Sequence, residues 1–214
     1  MLHLQRLAVE FFARLEDFDQ RIASAVAAER CRHCSGPLHR TDYERKPRGG
    51  LLGVAGEFST RRHSLCCGWP GCRKRALPPS LRFLGRRVYL EVVVVLACVW
   101  AQVVASTRAT VEGTGVPART LKRWGTWWRE IFPSTRTRFE MDARFVPPPP
   151  DVTLLPRSLV ERVERDLAQS GLTAEALMEA VMLRTAQWLA PVTTNSVVEG
   201  SRFVAAVTSS TAVR

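Results

Sequence analysis

Along residues 2 to 29 the apolar positions Leu4, Leu7, Phe11, Leu15, Phe18, Ile22 and Val26 recur at steps of three and four, with charged residues between them. That spacing puts them on one stripe of a helix, so the segment predicts an amphipathic docking helix. Residues 31 to 80 lose the period. Turn residues, arginines and closely spaced cysteines replace it, which predicts short strands joined by tight knuckles. Next comes a continuous apolar run from Val92 to Ala101, bounded by Glu91 and Gln102. A membrane span needs about 18 or more apolar residues. The run therefore predicts a buried helix, although its valines also suit a central strand.

Beyond the run, Ser106 to Glu112 predicts a short helix, Gly113-Thr114-Gly115 its breaker, and Pro117 to Phe132 a second helix that Pro133 ends. Pro117 suits a first helical position, where its missing N–H has no intrahelical partner to lose. Leu121, Trp124, Trp128 and Phe132 share one face and should pack inward, with Trp127 off that face. Residues 145 to 156, FVPPPPDVTLLP, favour polyproline II and read as a semi-rigid linker. Residues 157 to 190 read as a helical hairpin broken at Ser170-Gly171, with Thr173 as a helix N-cap. From 191 to 214 the chain is rich in Thr, Ser and Val without a period, which predicts a disordered tail.

Charge changes this picture by its location. The 214 residues carry 31 Lys+Arg against 20 Asp+Glu, a net +11. Residues 31 to 90 hold 13 basic and 3 acidic groups and residues 91 to 144 hold 8 and 5, while each end is acidic by one charge. A basic centre of this kind is the footprint of a phosphate-backbone binder, and an acidic protein is the competing partner. Of the cations 28 are Arg, which suits forked contacts with phosphate and guanine and is equally what a GC-rich genome would encode. Apolar residues at 46% and charged residues at 24% exclude a wholly disordered or multi-span membrane chain.

Six cysteines sharpen the chemistry. The opening MLHLQRLAVEFF has no basic segment leading into an apolar export signal, which predicts a cytoplasmic chain with reduced thiols. Cys31 and Cys34 form a C-x2-C pair, and Cys66-Cys67-Gly68-Trp69-Pro70-Gly71-Cys72 follows about thirty residues later. Four thiolates at such spacings suit a closed tetrahedral site for structural Zn2+, with no open position for a reacting water. The expected ligands are Cys31, Cys34, Cys67 and Cys72. Cys66 stands as the alternative to Cys67, and Cys98 reads as a core residue.

Around these thiols Arg61, Arg62, Arg73, Lys74, Arg75, Arg86 and Arg87 are expected to contact DNA phosphates. The order of short helix, glycine turn and second helix is that of a helix-turn-helix, whose second helix enters the major groove by its first turns. Arg119, Thr120, Lys122 and Arg123 lie there. Arginine takes guanine bidentately and threonine meets a thymine methyl or a phosphate. The expected fold is mainly α with a small β zinc ribbon. It consists of an N-terminal helix (1 to 30), a four-cysteine zinc ribbon (31 to 80), a three-helix helix-turn-helix unit (81 to 144), the linker, C-terminal helices (157 to 190) and the tail.

GVPARTLKRW resembles the recognition-helix opening G-V-S-x-x-T-L-x-R-W of helix-turn-helix modules in bacterial transposases and their companion proteins, with Pro117 in place of the usual Ser. The CRHC and CCGWPGC block is similar to a transposase zinc ribbon, with C-x4-C in place of C-x2-C, and RALPPSLRFLGRRVYL to the linker that follows such ribbons in insertion-sequence proteins. The resemblance covers about residues 31 to 132. It implies binding of double-stranded DNA at element ends, with a separate DDE transposase as partner. Residues 133 to 214 are too few for the carboxylate-bearing core that cuts DNA, and no Ser/His/Asp set, phosphate loop or HExxH is present. A DNA-binding protein of a mobile element, itself not an enzyme and joined to copies of itself or a partner by its terminal helices, is the expected function. The alternatives are a zinc-ribbon transcriptional regulator and an adaptor that docks an acidic protein or RNA.

Overall fold

The structure, a computed structural model, describes residues 7 to 45, 60 to 84, 89 to 104, 106 to 142, 151 to 193 and 197 to 209. Helix α1, Val9–Ala28, buries Phe11, Phe12, Leu15, Phe18 and Ile22, the stripe set by its three-and-four spacing. After it the chain makes five short strands: β1 Leu38–Arg40, β2 Tyr43–Glu44, β3 Arg61–Arg62, β4 Leu65–Cys67 and β5 Arg75–Ala76. Two small antiparallel sheets result, one ordered β1-β4-β5 and the other pairing β2 with β3. In the first, Leu38 faces Cys67 and His39 faces Cys66, which brings the two cysteine segments side by side.

Helix α2, Glu91–Val103, is the apolar run, buried from Glu91 to Cys98. It contains four consecutive valines, yet it is helical, with Val92 to Cys98 packed into the apolar cluster. Tertiary packing of this kind overrides β propensity. The Glu91 N–H donates to the Arg82 carbonyl at 2.7 Å, so one amide left open by the helix start is satisfied by the sheet region.

Helix α3, Thr107–Thr114, starts at Ser106, whose hydroxyl accepts from the Ala109 N–H, and stops at Gly115 in left-handed backbone with φ 65°. The break is therefore Gly115 alone. Gly113 lies inside the helix. Helix α4, Ala118–Thr126, follows, and Pro117 stands just before it as the cap position, its carbonyl accepting from the Thr120 and Leu121 N–H groups. The chain continues through a π turn, Trp127–Ile131, and a 3-10 turn, Phe132–Ser134, into the short helix α5, Arg136–Asp142. Trp124, Trp128 and Phe132 are buried, and Trp127 is half-buried against Trp128 and Phe132 with ring centroids 4.7 and 5.2 Å away.

Helix α6, Arg157–Leu167, and helix α7, Ala174–Leu189, pack on each other and on α2. Leu159, Val160, Val163, Met178, Val181 and Leu189 thereby join the same apolar cluster as α1 and α2. Thr173 caps α7 by accepting from the Ala176 N–H. The tail expected at 191 to 214 carries a further helix, α8, Val197–Ser209. It buries Phe203 and Val204 and packs on α1, with Arg202 3.1 Å from Glu29. Its lack of a clear apolar period hid it, because only two bulky side chains need to face the core. Among the described residues no helix is long and apolar enough to cross a membrane.

Candidate metal centre and cationic surfaces

The Sγ atoms of Cys31, Cys34, Cys67 and Cys72 all lie within 4.8 Å of one another and form no disulfide. Cys31 and Cys72 are 3.7 Å apart, and Cys34 and Cys67 are 3.4 Å apart. Such a four-thiol cluster can hold a metal ion. Cys66, one residue away on a strand, alternates to the other face of the sheet, where its thiol donates to the Arg73 carbonyl at 3.4 Å. Cys98 is buried in α2, away from the cluster.

The two cysteine segments repeat one local design. The Cys31 N–H donates to the Gly36 carbonyl, two residues past Cys34, and the Cys67 N–H donates to the Lys74 carbonyl, two residues past Cys72, both at 2.9 Å. The residue after each second cysteine, Ser35 or Arg73, has positive φ, 56° and 47°. Ser35 N–H closes its turn on the Cys31 carbonyl, whereas Arg73 N–H closes on Trp69. Gly68 and Trp69 thus absorb the two extra residues of the C-x4-C pair, and the turn itself is unchanged. Trp69 is left 60% exposed beside the thiols, a position that an aromatic residue between two ligands could have signalled in the sequence.

Two glycines leave little room for a side chain. A Cβ on Gly36 would lie 3.1 Å from the Cys67 sulfur and 3.2 Å from the Cys34 sulfur, and one on Gly68 would meet the His39 ring at 2.4 Å.

The thiols differ electrostatically. The His33 N–H aimed at the sulfur holds Cys31 down at about 7 despite burial, with help from the Cys34 N–H and the Cys72 and Cys34 thiols. For Cys34 the Gly36 N–H pulls downward, but the Cys67 thiol, burial and the other sulfurs outweigh it and push the group up to about 12. Burial also raises Cys67. Four sulfurs so close cannot all ionise without a cation among them, so a bound metal would replace protons.

No protein-family model matches this chain, and neither a curated protein nor a solved structure does. Its chemistry must be read from its own residues.

Of the expected phosphate contacts, Arg61, Arg73, Lys74 and Arg75 are exposed and form no ion pair among the described residues. Arg86 and Arg87 lie outside the described residues. Arg62 is a correction. It is fully buried, Nη1 donating to the His63 carbonyl at 3.1 Å and Nη2 to the Pro78 carbonyl at 2.5 Å, so it binds its own chain and no DNA phosphate. Its neighbour Arg82 is buried too. There Nε donates to Asp19 at 2.9 Å, Nη1 meets Glu16 and Nη2 donates to the Arg61 carbonyl, while Asp19 also accepts from Ser80 and the Leu81 N–H. This polar network fixes the sheet region on α1. His63 extends it, lying 3.2 Å from Glu16 and 3.0 Å from Asp42.

On α4, Arg119, Lys122 and Arg123 are exposed, Thr120 is half-exposed, and Leu121 and Trp124 face inward. These cations also lack an ion pair among the described residues, unlike Arg14, Arg21, Arg108, Arg157 and Arg202, each held by a carboxylate. Arg119 and Lys122 border a hollow of about 560 Å3 between α2, α3 and α4.

Proposed function

We propose that this chain binds double-stranded DNA as a non-catalytic protein of a mobile genetic element. The observation that carries the reading is α4: its inner face is apolar and buried, while Arg119, Lys122 and Arg123 stand exposed on its outer face without carboxylate partners among the described residues. The capped helix α3 and the left-handed Gly115 precede α4, which gives the order of a helix-turn-helix. In this reading α2 supports the unit, Arg119, Thr120 and Arg123 meet base edges, Lys122 meets backbone, and Arg61, Arg73, Lys74 and Arg75 add phosphate contacts.

The metal in this reading is structural zinc. Four thiolates at about 2.3 Å from an ion set tetrahedral edges of about 3.8 Å, close to the observed 3.7 and 3.4 Å pairs. Zinc held there would brace the knuckles and leave no site for substrate. The mobile-element part rests on the likeness of GVPARTLKRW and the cysteine block to insertion-sequence proteins, with a separate DDE transposase supplying strand chemistry.

Selection from a random duplex pool, followed by gel shifts across salt, tests the reading. Affinity should fall log-linearly with salt, and the selected motif should recur in the inverted ends of an insertion sequence. No duplex binding even at low salt would overturn it.

A further inference from the structure

A cavity of about 700 Å3 opens between the first cysteine knuckle, strands β2 and β5, and helix α8. Its lining is two-sided in character. Arg30, Arg32, Arg45, Lys74 and Arg75 contribute five cations, against one carboxylate, Glu29, which already pairs with Arg202. Pro78, Pro79, Val192 and Phe203 supply an apolar wall.

Several of these groups are held in place before any ligand arrives. Arg30 Nε donates to the Ser35 carbonyl at 2.7 Å, and Arg32 lies 2.5 Å from Glu199 of α8. The Arg45 guanidinium carbon lies 5.6 Å from the Tyr43 ring centroid and 5.5 Å from that of Phe83, and Nη2 donates to the Tyr43 hydroxyl. A cation held against aromatic rings is oriented before a ligand arrives. Lys74 and Arg75 carry no ion pair among the described residues.

A cationic rim facing an apolar wall suits a ligand that is anionic along one edge and flat and weakly polar along the other. A nucleotide strand has that chemistry, with phosphates on one side and bases on the other. A volume of about 700 Å3 accommodates a few nucleotide units and is small for a duplex. We propose that this cavity binds an unpaired segment of DNA strand, such as the frayed or resected end of the duplex gripped by α4. The proposal rests on the DNA-binding reading and adds to it a second ligand, held at a cavity that shares Lys74 and Arg75 with the duplex contacts. Phosphates lie along Arg30, Lys74 and Arg75, and bases lie toward Arg45 and the proline wall.

Fluorescence anisotropy on the full metal-loaded chain tests it, using a labelled thymidine oligomer of about six nucleotides, within the site size of single-strand grooves, and a blunt duplex. Two variants address the cavity from opposite walls. Gly200→Leu adds bulk from α8 without altering charge, and Arg30→Gly removes a cation at a position whose φ of 63° glycine adopts without strain. Each should weaken oligomer binding by about tenfold, roughly 1.4 kcal/mol, and leave blunt-duplex affinity unchanged. The double variant Arg119→Ala, Arg123→Ala should do the reverse. The cavity assignment is overturned if the oligomer does not bind, if thymidine monophosphate competes as well as the oligomer does, or if folded Arg30→Gly binds the oligomer as tightly as the parent. If oligomer binding is present and sensitive to these variants while the blunt duplex is ignored, the cavity stands and the α4 reading fails.

Discussion

The two basic regions of this molecule carry charge of one sign on opposite kinds of scaffold. In the sheet region the arginines serve both inside and outside: Arg62 and Arg82 are buried in polar contacts, while Arg73, Lys74 and Arg75 face solvent. In α4 the division is clean, with aromatic and aliphatic side chains inward and cations outward. The reason is the scaffold. A helix sorts residues by its own 3.6 period, whereas two- and three-residue strands in irregular loops leave burial to distant partners. Counting positive charge is therefore a fair guide to exposed cations on α4 and a poor one near the cysteines.

The largest test of this contrast is the metal. Structural zinc sites of this ligand class contribute on the order of 10 kcal/mol of apparent binding energy. Cys67→Ser should abolish metal retention, measured by elemental analysis, and remove amide-exchange protection from residues 31 to 45 and 60 to 76. The helical far-UV signal should largely persist, because the apolar cluster of α1, α2, α6, α7 and α8 does not depend on the thiols. Cys66→Ser should retain a full equivalent. Equal metal loss in both variants would show that the ligand set is wrong.

Next in size are the two kinds of interior. Asp19→Ala removes one of the two carboxylates paired with the buried Arg82, together with the acceptor of Ser80 and the Leu81 N–H, and should destabilise by about 3 to 5 kcal/mol in urea titration. Trp124→Ala removes an aromatic packed edge-on to Tyr89 at 4.8 Å and should be similarly severe, about 3 to 5 kcal/mol, from lost burial and a cavity. A near-neutral Asp19→Ala would mean that the polar network contributes little and that packing alone seats the sheets on α1.

Surface cations come third. Arg119→Ala and Arg123→Ala should each reduce affinity for a selected duplex by about 1 to 3 kcal/mol with no change in Tm. Arg62→Ala should instead lower Tm, and any loss of binding should disappear once stability is restored by lower temperature. Were Arg62→Ala fully stable and specifically defective in binding, the division into inner and outer arginines would fail.

The smallest effect is an acid one. At Glu16 burial pushes the carboxyl up, but hydrogen bonds from His63 and Gln20 and the Arg82 charge outweigh it, leaving the group below its ordinary 4.5. At Asp42 burial is likewise outweighed by His63, the Ser64 N–H and Arg40, leaving the group below 3.8. Lowered carboxylates favour the folded state above their ordinary values, and that contribution is lost as pH falls through the lowered ones. Urea midpoints should hold down to about pH 5 and then decline. In the double variant Glu16→Gln, Asp42→Asn, the decline below pH 4.5 should be shallower.

Spacing alone made much of this protein legible. Helix α1, the apolar α2 and the inner face of α4 follow from steps of three and four, and the near-paired cysteines marked the thiol cluster before any fold was known. These are local features, written within one or two turns of chain. The tertiary structure decided what depends on residues far apart. Arg82 finds Asp19 across 63 positions, which turns an apparent surface cation into part of the interior. Helix α8 forms on α1, almost the whole chain away, from a segment with no period of its own. The cationic cavity exists only where α8 closes over the first knuckle. Burial and charge pairing are properties of partners, and a chain read in order shows its spacing but not which partners meet.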